Sequence, residues 1–130
     1  MSKYGEIIDM VDSIRPNPIS KEMKLWWLVT LDGKIAVELM LMGPEEVKAM
    51  LDYEEPEAAL DREALVSFPY EEIYQHYLEA KLNYTAGEYN EYGNTMQAFN
   101  AAYNSYANWF LNTYDPAQGY RPEMPRGGCT

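Results

Sequence analysis

Six large apolar side chains near the C-terminus recur at the spacing of a helix. They lie four, three, four, three and four residues apart, at Tyr92, Met96, Phe99, Tyr103, Tyr106 and Phe110. This spacing predicts one apolar stripe on a helix, which we call the aromatic seam. Uncharged polar residues stand between its members, among them Asn94, Gln97, Asn100, Asn104, Ser105 and Asn108. The seam represents roughly 1,000 Å² of surface, so the rest of the chain or another copy of it must cover it.

Tyrosine dominates the aromatic content, with 12 tyrosines against 3 tryptophans and 3 phenylalanines. A tyrosine packs its ring while its hydroxyl reaches a partner or water, so many tyrosines suit surfaces that a neighbour completes. A Tyr/Phe stripe at helical spacing is most often core. Tyrosines off the seam are therefore the better candidates for contacts between proteins, and among them we single out Tyr74, Tyr89, Tyr114 and Tyr120.

Length and charge limit the architecture and the partners. A chain of 130 residues is expected to form one domain, and we place a single helical domain at 1–114 and a flexible tail rich in Pro and Gly at 115–130. The net charge of −11 disfavours phosphate backbones and anionic membranes. We expect neither a sequence-specific nucleic-acid partner nor a membrane partner.

In the N-terminal half, too, apolar residues recur at the spacing of a helix. A first helix is predicted from Lys3 to Ile14, and Ser20 can cap a second one that runs from about Lys21 to Met42. Apolar residues appear on more than one side of the second helix, which is typical of a helix that packs against other protein on two sides. A β-hairpin turning at Asp32-Gly33 is the alternative, but apolar spacings of three and four favour the helix.

Shorter elements are predicted in the middle of the chain. Gly43-Pro44-Glu45-Glu46 indicates the start of a third helix, which should stop near Tyr53. The acidic stretch from Glu54 to Arg62 is predicted to be a loop. The stretch from Ala64 to Phe68 is predicted to be a short extended or single-turn piece, before Pro69 opens the C-terminal helices.

Residues 70–114 are too many for one straight helix in a compact domain. Such a helix would be about 67 Å long, whereas a domain of this size is only about 35 Å across. We predict a break at Thr85–Glu88, which gives a helical hairpin. Thr85 and Glu88 can form a capping box at the start of the second helix of the hairpin. Tyr84 and Tyr89 can form the hydrophobic staple that flanks this box. Gly87 can instead end the preceding helix.

No residue pattern indicates catalysis. His76 is the only histidine, and Glu72 precedes it by four residues rather than the three of di-iron helices. Cys129 is the only cysteine and falls in the predicted tail, where no base is held beside it. We therefore predict that the chain is not an enzyme, and we expect no catalytic residue, no cofactor and no metal site.

Two stretches match a known pattern of packing residues. One is FPYEEIYQHYLEAKLNYTAGEYNEYGNTMQAFNAAYNSYANWFLNTYDP, and the other is MKLWWLVTLDGKIAVEL, with its Leu-Asp-Gly-Lys-Ile sequence. The strongest positions are Pro69-Tyr70, Ile73-Tyr74, Tyr77-Leu78, Gly87-Glu88, Tyr92, Met96, Phe99-Asn100, Ala102-Tyr103 and Phe110. Over 3–116 the chain thereby resembles small proteins that prophages of Gram-positive bacteria encode and that are thought to be head–tail connector (adaptor) proteins of tailed phages.

This resemblance implies a small helical bundle whose copies form a ring beneath the portal and prolong the channel for the genome. The implied partners are other copies of the chain, the phage portal and tail-side connector proteins. The implied locations are the virion and, during assembly, the cytoplasm of the bacterial host. The family has no active site to carry over, and the residues after Pro116 lie beyond the match.

The sequence thus predicts an all-α protein, a small helical bundle with a long C-terminal helical hairpin and a flexible C-terminal tail. Its predicted role is that of a structural subunit of a phage head–tail connector. The alternative is a small cytoplasmic helical protein-binding module, a regulator or chaperone of phage or host origin. Neighbouring genes discriminate between the two, because portal and capsid genes favour the connector.

Overall fold

Six helices form the fold in the computed structural model, which describes residues 2–51 and 56–113. They are α1 (Tyr4–Ile14), α2 (Lys21–Glu38), α3 (Pro44–Leu51), α4 (Pro56–Leu60), α5 (Glu72–Thr85) and α6 (Tyr89–Thr113). The described residues contain no strand, only an isolated antiparallel bridge between Lys3 and Glu63. The predicted all-α class and the long C-terminal helical hairpin are confirmed. The tail predicted at 115–130 lies outside the described residues.

The hydrophobic core lies where α1, α2 and α5 meet. Each helix contributes the apolar side of its 3.6-residue repeat, which is why these segments are helical and why they pack together. The residues that are fully buried there include Ile8, Val11, Leu25, Leu28, Ile35, Ile73 and Leu78. The shorter helices α3 and α4 pack on the outside of α1 and α2.

The second helix begins as predicted and ends earlier than predicted. The hydroxyl of Ser20 accepts a hydrogen bond from the backbone of the first turn, which satisfies a donor that the helix leaves free. The helix continues through Asp32-Gly33, so the alternative β-hairpin is wrong. It stops at Glu38 rather than near Met42, because the backbone of Leu41 turns left-handed, with φ of 58°.

A short helix, α4, replaces the loop predicted from Glu54 to Arg62. Its sequence places Pro56 in the first turn, where proline is favourable, and then good helix formers. Ala59 is fully buried, so packing stabilises this single turn. A Cβ on Gly5 of α1 would lie 3.0 Å from the carbonyl oxygen of Leu60, which shows how closely α1 and α4 approach.

The connection between α5 and α6 lies where a break was predicted. Gly87 has φ of 78°, the left-handed conformation that glycine adopts at little cost. Its N–H donates to the carbonyl of Tyr84, and the N–H of Glu88 donates to the carbonyl of Asn83, which forms a Schellman motif. The possibility that Gly87 ends the preceding helix is therefore confirmed. The hydroxyl of Thr85 donates back into α5 and does not cap α6.

Candidate interaction surface

The last helix is attached to the body along one side. Of the described helices, α5 is the main neighbour of α6, although Tyr103 of α6 also lies near Glu38 at the end of α2. Ring pairs hold α5 and α6 together, with centroid distances of 5.2 Å for Tyr77–Phe99 and 5.3 Å for Tyr84–Tyr92. Near its C-terminus α6 also borders the segment that leads into α5, where the rings of Tyr70 and Tyr106 lie 5.6 Å apart.

The aromatic seam is the side of α6 that faces α5, and it is only partly covered. Tyr106 is buried, whereas the other five members are half-buried. Phe99, Tyr103 and Phe110 pack against the edge of the core rather than within it. One helix beneath another covers about half of each ring, which explains the intermediate exposure along the seam.

The opposite side, the outer face of α6, carries no charge. The twenty residues from Asn94 to Thr113 include no Asp, Glu, Lys or Arg, and outside the uncharged run from Tyr92 to Tyr114 no stretch of this length in the chain lacks them. The exposed residues of this outer face include Asn94, Gln97, Asn100, Ala101, Asn104, Ser105 and Asn108. In a chain with a net charge of −11, a second acidic chain can approach this surface with little repulsion.

The four tyrosines proposed for protein–protein contact have different positions. Tyr74 is fully buried in the core, so the expectation that it lies on an intermolecular surface is corrected. Its side chain is needed inside the fold, as a hydrogen-bond partner described below. Tyr89 is 63% exposed, and its ring lies 5.7 Å from that of Tyr84. Tyr114 and Tyr120 lie outside the described residues.

The core contains a polar cluster that the sequence analysis did not anticipate. The carboxylate of Asp32 accepts three hydrogen bonds, from the hydroxyl of Tyr4 at 2.5 Å, the hydroxyl of Tyr74 at 2.6 Å and the N–H of Leu65 at 3.0 Å. The Tyr74 hydroxyl in turn accepts from the N–H of Val66 at 2.7 Å. The sequence does contain a clue, because the helical period of α2 places Asp32 on the same side of the helix as its buried apolar residues.

Burial dominates the electrostatics of this cluster. It raises the pKa of the Asp32 carboxyl, although the hydrogen bonds from both tyrosines act to lower that pKa. Burial, reinforced by the nearby carboxylate, also raises the pKa of the Tyr4 and Tyr74 hydroxyls. All three side chains are at most 1% exposed, so a substrate has no access to them. The cluster joins α1, α2 and α5 and does not form an active site.

The side of α2 that faces away from the core is also apolar. Its members follow steps of three, four, three and four, and we call them the α2 stripe: Met23, Trp26, Thr30, Gly33 and Val37. Trp26 is 55% exposed and Met23 is 46% exposed. The other three line, with Trp26, a groove of about 640 Å³ between α2 and α3. The apolar residues on more than one side of this helix therefore form a buried face and an accessible one.

The described residues contain neither a candidate metal site nor a membrane-spanning helix. Over 2–51 and 56–113, no three His, Cys, Asp or Glu side chains come together in a way that could hold a metal ion. His76 lies 4.0 Å from Glu72 on the surface of α5. None of the helices described is both long enough and apolar enough to cross a membrane.

Comparison with known proteins gave no match, whether to a family model, to a curated protein or to a solved structure. The resemblance to connector proteins therefore rests on the quoted residues alone.

Proposed function

We propose that this chain is a structural subunit that acts by self-association, and that it serves in the head–tail connector of a tailed phage, as a ring under the portal. The observation that supports self-association is the uncharged outer face of α6. The resemblance of both quoted stretches to prophage connector proteins supports the particular assembly. The proposal assigns the chain no catalytic role.

Electrostatics favours α6 as the assembly surface. Each subunit carries a net charge of −11, so subunits brought together in a ring repel one another unless their contact surfaces lack carboxylates. The outer face of α6 meets this condition over its last twenty residues. It is rich in amide side chains, which donate and accept hydrogen bonds and so suit a contact that forms and exchanges with water.

The attachment of α6 suits this role as well. A helix that packs mainly on one neighbouring helix leaves more than half of its circumference accessible. A straight helix of 25 residues is about 37 Å long, enough to reach along a neighbouring subunit of this size. A head-to-tail contact made by such a surface repeats from copy to copy and closes into a ring when the rotation permits.

The test adds like charges to the outer face of α6. We expect Gln97→Glu with Asn104→Glu to abolish or greatly weaken the complex with the cognate portal protein in native mass spectrometry. A matched control, Ser13→Glu with Ala58→Glu, adds two carboxylates at exposed positions of α1 and α4 and should assemble like the wild type. Circular dichroism checks that both variants keep the helical content of the wild type.

Two results would count against the proposal. One is a wild-type protein that forms no complex with its portal at any concentration. The other is a charged α6 variant that assembles as well as its control. The alternative role, a cytoplasmic binding module, predicts a regulatory gene cassette around this gene and a complex with one other protein at fixed stoichiometry.

A further inference from the structure

We propose that the α2 stripe is a docking site for a second copy of this chain, which packs its own α2 antiparallel to the first. The two-fold axis of this dimer lies between Thr30 and Gly33. The inference goes beyond the proposed function and does not depend on it, because it concerns a different helix and the isolated protein.

The spacing of the stripe is that of a helix–helix contact. Steps of three and four residues keep Met23, Trp26, Thr30, Gly33 and Val37 on one line along α2. This line runs opposite the buried residues of the same helix, such as Leu28 and Ile35. A helix with two opposed apolar faces is expected to pack on both sides. The core covers one face of α2, and α3 covers the other only in part.

The sizes of the side chains make the stripe complementary to itself. In the antiparallel arrangement, Trp26 lies opposite the second copy's Val37, and Thr30 lies opposite the second copy's Gly33. The small central residues let the two backbones approach closely, while the large indole rings cover both ends. The two-fold symmetry repeats each of these two contacts, so each indole ring meets a smaller side chain.

The charges around the groove are consistent with a second copy as the occupant. Lys34, Glu38 and Lys48 are the charged residues among its lining residues, and within the described part of the chain none of them forms an ion pair. The groove is therefore slightly positive in a chain whose net charge is −11. Glu38 is the one carboxylate among these lining residues, so two acidic chains can meet here with little repulsion.

The area of the contact indicates a weak dimer. The stripe runs over fifteen residues, from Met23 to Val37, which corresponds to about 22 Å of helix. With the α3 wall of the groove included, two copies would bury on the order of 1,000 Å², the low end for specific interfaces. We therefore expect a dimer with a dissociation constant in the micromolar range. The contact is isologous and closed, so it yields pairs rather than rings.

Sedimentation velocity on the full-length protein, from low micromolar to near-millimolar concentration, tests the inference. Gly33→Glu places a charged side chain where the two helices come closest, and we expect it to weaken the dimer at least tenfold. Glutamate is a better helix former than glycine, so the helical propensity of α2 is kept, and circular dichroism checks that the variant is folded. The control is Gly93→Glu, the same substitution in α6 at an exposed position with open space around it, which should leave the dimer unchanged.

A cysteine pair tests the register. In a Cys129→Ser background, Trp26→Cys with Val37→Cys is expected to give a covalent dimer on mild oxidation, whereas Trp26→Cys alone should not. A protein that stays monomeric to near-millimolar concentration would overturn the proposal. A dimer that Gly33→Glu leaves intact, or one that the double-cysteine variant fails to cross-link, would overturn it equally.

Discussion

The phenolic hydroxyl of Tyr74 donates to Oδ1 of Asp32 over 2.6 Å and so joins two helices across 42 positions of sequence. Tyr4 donates to the other carboxylate oxygen from a third helix, 28 positions away. A buried carboxylate is stable only when enough donors surround it, so each of these hydrogen bonds compensates part of the cost of burying the charge. The cluster therefore makes the packing of α1, α2 and α5 specific.

Removal of one hydroxyl from the cluster should destabilise the protein. Tyr74→Phe keeps the ring and leaves Asp32 without one donor, and we expect the free energy of unfolding to fall by about 1–3 kcal/mol. Tyr77→Phe on the same helix is the control, because Tyr77 is half-buried and takes no part in the cluster. Urea denaturation followed by circular dichroism measures both. Equal midpoints for the two variants would contradict the structural role of the cluster.

The raised pKa of Asp32 predicts a pH dependence of stability with a defined sign. The unfolded chain releases this proton near pH 3.8, whereas the folded chain holds it to higher pH because burial raises the pKa. Between these two values the free energy of unfolding should fall as the pH rises. Asp32→Asn lacks this contribution, so the stability of the wild type relative to Asp32→Asn should decline from about pH 4 upwards and then level off.

The control for this experiment is internal. The carboxyl of Asp12 is partly buried, but hydrogen bonds from Lys24 and Asn17 outweigh that burial and lower its pKa, so its contribution appears below pH 3.8. The contribution of Asp12 is the same in the wild type and in Asp32→Asn, so it cancels when the free energies of unfolding of the two proteins are subtracted. A difference between the two proteins that is flat, or that grows in favour of the wild type as pH rises, would contradict the prediction.

The Lys24–Asp12 pair should respond asymmetrically to mutation. Lys24 is 2% exposed, and its ammonium donates to Asp12 at 2.5 Å and to Asn17 at 3.0 Å. Asp12→Ala leaves a buried charge with one partner, and we expect a loss of about 1–3 kcal/mol. Lys24→Met removes the charge itself and should cost less. Asp61→Ala, which breaks an exposed pair with Lys3, should have no measurable effect in the same denaturation assay.

Two glycines should respond to alanine with opposite signs. Gly87→Ala forces a side chain into the left-handed region and should cost about 1–2 kcal/mol, although its Cβ would meet no neighbouring atom. Gly93→Ala, inside α6 and equally free of neighbours, should stabilise by about 0.5–1 kcal/mol. Thermal unfolding of both variants tests the turn, and a stabilising Gly87→Ala would show that the left-handed conformation is not required.

Local signals in the sequence predicted most of the fold. Helical periodicity marked α1, α2, α5 and α6, and Ser20 marked the start of α2. The break at Thr85–Glu88 was predicted because a capping box or Gly87 can interrupt a helix there, and because an unbroken helix would extend far beyond a domain of this size. The resemblance to connector proteins, by contrast, remains a prediction, because no comparison with known proteins bears on it.

The errors arose where tertiary packing overrides local preference. The acidic composition near α4 indicated a loop, but the burial of Ala59 stabilises one helical turn. The left-handed backbone of Leu41, which ends α2 early, has no signal in the residue type. Tyr74 was expected on an intermolecular surface because it lies off the aromatic seam, whereas its hydroxyl bonds Asp32, and a contact across 42 positions is invisible to local patterns.

The order in which the chain is synthesised gives the Asp32 cluster a further consequence. The ribosome releases Tyr4 and Asp32 well before Tyr74, so a nascent chain that lacks α5 would have to bury a carboxylate with one of its donors missing. The first two helices alone should therefore stay loosely organised until α5 emerges. Proteolytic fragments that end before residue 74 should likewise be degraded quickly instead of surviving as independent folding units.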